Sequence, residues 1–83
     1  MDASVTDLRR FWFPLRGHLG VGVTARTFEE ARTLAEEVRR RYWPAAPAFG
    51  PVVEDIDVST LDQRHVIPNM RPTVWPGVWF PLT

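Results

Sequence analysis

The stretch LRRFWFPLRGHLGVGVTA, residues 8–25, decides the fold. By strict period-two alternation Phe11, Phe13 and Leu15 fall on one face and Arg10, Trp12 and Arg16 on the other, so Leu8 to Arg16 is expected as a strand. Gly17 to Gly20 supply a short turn. Val21, Val23 and Ala25 then alternate with Gly20, Gly22 and Thr24, which completes a β-hairpin. Its second strand is nearly bare on the face that carries Gly20 and Gly22. Trp12 can therefore lie across those glycines, as aromatic rings do when they cover a glycine in a paired strand.

A helix follows the hairpin. Thr27 and Glu30 form the Thr-x-x-Glu pattern of a capping box, Glu29 and Glu30 sit in the first turn, and Arg39, Arg40 and Arg41 close the last. At 100° per residue Phe28, Ala31, Leu34, Ala35, Val38 and Tyr42 share an arc of about 120°, the width of a stripe that faces a sheet. Glu36 with Arg40 and Glu37 with Arg41 are expected as i,i+4 ion pairs. Pro44 ends the helix, and the proline-rich stretch through Pro51 is a stiff crossover back to the sheet.

Beyond it the pattern predicts a third strand, Val52 to Val58, with Ile56 and Val58 inward and Asp55 and Asp57 outward. A fourth, Gly77 to Leu82, sets Val78, Phe80 and Leu82 inward and Trp79 outward. Ser59 to His65 reads as a turn, and Ile67 to Pro76 as an extended loop broken by Pro68, Pro72 and Pro76. The fold class is therefore α+β: a two-layer ββαββ unit with one helix on a mainly antiparallel four-stranded sheet. Residues 1–83 are expected to form a single domain with a flexible stretch at 1–7.

Composition narrows the function. The 83 residues are 45% hydrophobic with formal net charge +0, which excludes disorder and a purely electrostatic nucleic-acid binder. All ten basic residues are arginine, the mark of a G+C-rich coding sequence, and the lack of lysine removes Schiff-base chemistry. The lack of cysteine removes disulfides, thiol nucleophiles and the common structural zinc sites. Asp2, Asp7, Arg9 and Arg10 break any apolar leader, and no window is long and apolar enough to span a membrane, so a cytoplasmic protein is expected.

Catalytic constellations are weak. Gly17, Gly20 and Gly22 invert the dinucleotide-binding order and precede a strand instead of a helix. Ser59 stands in a hydroxyl-capped turn with no nucleophile elbow. Asp62 and His65, with Asp57 or His18, have the residue types of a divalent-metal site, though a turn-capping Asp beside an exposed His is commoner. Arg39, Arg40 and Arg41 with Trp43 could grip a nucleic acid, but arginines at a helix C-terminus ordinarily offset the macrodipole. No catalytic residue, metal or cofactor is expected.

Phe11, Phe13, Phe28, Tyr42 and Phe80 suffice to fill a core, which leaves Trp12, Trp43, Trp75 and Trp79 in surplus. Tryptophan and arginine are enriched at the energetic centres of interfaces. The expected site is therefore a partner-binding surface of Arg10, Trp12, Arg16, Asp55, Asp57, Met70, Trp75 and Trp79. Such a surface suits an immunity- or antitoxin-like inhibitor, an accessory subunit of a larger bacterial complex, or a homodimer. The alternative is a small metal- or ligand-dependent enzyme using Asp57, Asp62 and His65.

The segments Phe11-Trp12-Phe13, Gly22-Val23-Thr24-Ala25, Glu54 to Asp62, Pro68-Asn69-Met70 and Trp75 to Pro81 together resemble a family of short bacterial proteins of unassigned function. The resemblance implies a self-standing domain and carries no activity or functional residue.

Overall fold

The computed structural model describes residues 8–81. Its elements are β1 (Arg9–Phe13), β2 (Val21–Ala25), α1 (Phe28–Tyr42), β3 (Val53–Glu54) and β4 (Gly77–Phe80), with short 3₁₀ turns at Val58–Thr60 and Ile67–Asn69. The four strands form one antiparallel sheet in the order β3-β1-β2-β4. The α+β class is as expected, and the ββαββ order is met in outline, with β3 shrunk to two residues and β1 to five. The expectations for residues 1–7 and Leu82 lie outside the described residues.

The hairpin pairs Phe11 with Val23 and Trp12 with Gly22. On one face Phe11, Phe13, Val21, Val23 and Ala25 pack against Ala31 and Ala35 of α1, with Phe28, Leu34, Val38, Trp43 and Phe49 around them. Phe28 stacks on Phe13 with ring centroids 6.2 Å apart, and Phe49 meets the same ring at 5.3 Å. The helix begins as its capping box requires: Thr27 Oγ1 accepts from Glu30 N–H (3.1 Å), while Glu30 Oε1 accepts from Arg26 N–H (3.2 Å). Three details of α1 differ from expectation: Tyr42 is exposed, Glu36 pairs with Arg39 (2.8 Å) in place of Arg40, and among the described residues no ion pair joins Glu37 to Arg41. Arg39 also donates to Ala46 O (3.2 Å), so it fastens the helix to the crossover.

The third strand is cut short by its own backbone. Pro51 supplies no N–H, and Asp55 takes a φ of +54°, a conformation that Asp tolerates and β-branched residues do not. Backbone bonds Gly50 N–H to Pro14 O (2.9 Å) and Ile56 N–H to Arg10 O (3.1 Å) carry the pairing a little beyond both ends. After Asp55 the chain leaves the sheet edge. It crosses the face opposite the helix, so Ile56 and Val58 pack there and not beneath α1.

That crossing overturns the expectation of an open outer face. Leu61 and Val66, with Ile56, Val58, Ile67 and Met70, form a second core with Trp12, Trp79 and Phe80. Trp79 is 1% exposed and Trp12 8%. Residues 56–70 thus act as an irregular third layer, and two of the four surplus tryptophans, Trp12 and Trp79, are consumed by filling it.

A bulge in β4 explains why Phe80 joins them. Gly22 pairs with Phe80 and Val23 with Val78, so Trp79 is an extra residue on β4. One inserted residue reverses the side-chain alternation. Val78 faces the helix core as expected, whereas Phe80 is turned to the other face beside Trp12, 5.7 Å between centroids.

Candidate functional site

The eight residues expected to form one surface separate into three groups. Trp12, Trp79 and Met70 belong to the second core. Trp12 and Trp79 stack with centroids 6.0 Å apart and planes 26° off parallel, and Met70 packs against the cluster. Both indoles depend on glycine. A Cβ on Gly22 would overlap Trp79 Cζ3 and Cη2, and one on Gly20 would stand 2.7 Å from Trp12 Cζ2. The expectation that Trp12 covers glycine holds at Gly20, while Gly22 receives Trp79. As exposed docking residues Trp12 and Trp79 are corrected: the third layer removes them from solvent.

Arg10, Asp55 and Asp57 line the strand edge where that layer starts. The ion pair at this edge is Arg9 with Glu54 (3.1 Å), set across β1 and β3, and the Arg9 guanidinium lies 5.3 Å from the Phe11 ring centroid. Asp57 caps the first 3₁₀ turn. Its Oδ1 accepts from the Ser59 hydroxyl (2.7 Å) and from Ser59 N–H (3.0 Å). The Ser59 hydroxyl first, then its N–H, hold this carboxyl below its ordinary value of 3.8, and the Arg10 charge adds to the effect.

Asp62 does similar work in the next turn, accepting from Arg64 N–H and His65 N–H, each at 2.8 Å. These two bonds, that from His65 foremost, lower its pKa. The His65 ring nitrogen Nδ1 lies 3.2 Å from the same carboxylate oxygen. Both carboxylates are therefore turn caps held ionised. Among the described residues no group of three histidine, cysteine or acidic side chains is placed to hold a metal ion, so Asp57, Asp62 and His65 do not converge as the alternative required.

Arg16 and Trp75 stand at opposite ends of β2. Arg16 follows Phe13, which pairs with Val21, and Trp75 precedes Gly77, which pairs with Thr24. Among the described residues Trp75 is the exposed tryptophan, at 68%, and its neighbour Val74 is exposed to the same degree. Their loop is fastened to the sheet at its base. Thr24 Oγ1, nearly inaccessible within β2, donates to Thr73 O (2.6 Å), and Arg71 N–H donates to Trp79 O (2.8 Å). Pro72 and Pro76 fix φ on either side. The result is an apolar tip on a braced stem.

Val74 was missed by sequence reasoning. Its signal was adjacency: two large apolar residues side by side between prolines obey neither a strand nor a helix period, so neither is assigned to a core. Trp43, the helix C-cap, is half-buried, with the His18 ring at 4.8 Å. Of the triple arginine, Arg39 is spent on Glu36 and Ala46 O, and Arg41 lies 5.7 Å from the Tyr42 ring. No helix among the described residues is long and apolar enough to cross a membrane. No known protein family, curated protein or solved structure matches this chain, so no activity comes to it from a relative.

Proposed function

We propose that the chain is a small non-catalytic protein-binding unit that docks through the Val74-Trp75-Pro76 tip. The observation that supports this reading is the exposure of Trp75 and Val74 on a loop whose base is hydrogen-bonded to the sheet. An exposed indole has water-accessible apolar area to lose. A braced loop loses little conformational freedom when it is covered, so more of that burial appears as affinity. An inhibitor of the immunity or antitoxin kind, or an accessory subunit, would use such a surface.

The test is capture from the source cell followed by intact-complex mass spectrometry, then titration of the purified partner against wild type and Trp75→Ala. An indole at the centre of an interface contributes about 2 kcal/mol or more, so affinity should fall by about 30-fold or more. A doubled mass that Trp75→Ala abolishes would make the partner a second copy of the chain. Unchanged affinity in Trp75→Ala would remove the proposal.

A further inference from the structure

At the end of the sheet remote from Trp75, the β1–β2 turn and the α1–β3 crossover enclose an open hollow of about 400 Å³. Its apolar wall is made by Pro14, Leu15, Leu19, Pro47, Ala48 and Pro51, and Arg16 and His18 add a guanidinium and an imidazole to the lining. Leu19 is 43% exposed, which leaves an aliphatic side chain available to a ligand. The walls are stiff. Three prolines fix φ, Gly50 N–H is bonded to Pro14 O (2.9 Å), and His18 N–H to Leu15 O (2.9 Å).

The charge of this hollow is one-sided. No aspartate or glutamate lines it, and among the described residues no carboxylate pairs with Arg16. Arg9 and Arg39, by contrast, each hold a glutamate. The His18 ring rests against Trp43 at 4.8 Å, which keeps it at the wall and leaves its ring nitrogens as hydrogen-bonding groups. An unpaired guanidinium offers a planar fork of donors that matches a carboxylate in bidentate geometry. Ligand sites combine a mostly apolar lining with a few placed polar groups and run to several hundred Å³, which this hollow meets.

We infer that the hollow between the β1–β2 turn and the α1–β3 crossover is a binding site for a small organic carboxylate with an apolar body, its carboxylate on Arg16 and its body against Leu15, Leu19 and the prolines. The inference does not rest on the docking tip, which lies at the other end of the sheet.

Phenylacetate and its neutral analogue phenylacetamide are suitable probes, titrated into the ¹⁵N-labelled chain with amide shifts as the readout. Phenylacetate should produce saturable shifts at Leu15, His18, Leu19 and Ala48 and bind about tenfold or more tightly than the amide, the margin expected of a charge-assisted pair. Arg16→Gln should abolish that preference without altering the melting temperature, since Arg16 is exposed. Leu19→Glu, which places a carboxylate at the wall, should remove binding of phenylacetate. Equal binding of the two probes, an undiminished preference in Arg16→Gln, or no saturation by about 10 mM would overturn the assignment.

Discussion

Replacing Gly22 with alanine probes the packing of the second core at its tightest point. Gly22 lies in β2 directly beneath the Trp79 ring, and an added Cβ would overlap Cζ3 and Cη2 and stand 2.6 Å from Cε3. Carbon atoms rest at about 3.5–4.0 Å, so the indole would have to move by on the order of 1 Å. It has little room to do so, being 1% exposed and stacked on Trp12 at 6.0 Å. Overpacking of this kind costs about 1–3 kcal/mol. The entropic gain of alanine over glycine in a strand, about 0.5–1 kcal/mol, offsets part of that. A net loss of about 1–2 kcal/mol lowers the Tm of a chain this size by about 5–15 °C. Gly50→Ala is the control, because its Cβ would meet nothing closer than Pro14 Cγ at 3.6 Å, an ordinary contact. Thermal and denaturant unfolding of both variants, with Gly22→Ala repeated in a Trp79→Leu background, complete the test. The smaller side chain should relieve the overlap, giving a coupling of about 1 kcal/mol or more. A Gly22→Ala protein that melts at or above wild type, or that loses as much stability in the Trp79→Leu background, would refute the packing.

Acid should loosen the third layer. Asp57 and Asp62 titrate below 3.8 in the folded chain, so their contribution is complete above about pH 4 and is lost as pH falls through the lower folded values. Tm should hold between pH 6 and 4 and fall below that, with the fall reduced in the Asp57→Asn/Asp62→Asn double variant; an identical acid limb would contradict the capping roles. At Asp55, whose φ is +54°, glycine should be neutral or slightly stabilising and valine should cost about 1–2 kcal/mol, measured by denaturant unfolding. Equal stability of the two variants would remove the backbone role assigned to Asp55.

Much of the helix-facing layer was legible because it is periodic. Phe11, Phe13, Val21 and Val23 keep a period of two, Ala31 and Ala35 keep one helical turn, and a capping box marks where the turn begins. The second layer was not, since residues 56–70 bury Leu61 and Val66 through turns with no period. Two local events hid it. Asp55 turns the chain out of the sheet by a left-handed φ, and the bulge at Trp79 reverses the alternation that had placed Phe80 under the helix. For Trp12 and Trp79 a surplus over the first core therefore points to exposed surface, whereas the two rings fill a second core. Gly20 and Gly22 carry the sequence signal for it: bare positions two apart on one face provide room for two indoles, Trp12 over Gly20 and Trp79 over Gly22.

Hydrogen exchange at the four indole N–H groups tests the division between buried and exposed tryptophans most directly, each resonance assigned by a Trp→Phe variant. Trp75, 68% exposed, should exchange at the rate of a free indole. Trp79, whose Nε1 is buried, should retain its proton until the chain unfolds globally, and Trp12, stacked against it, should also be protected. Free exchange at Trp79 and Trp12 would contradict the account and return both residues to the surface.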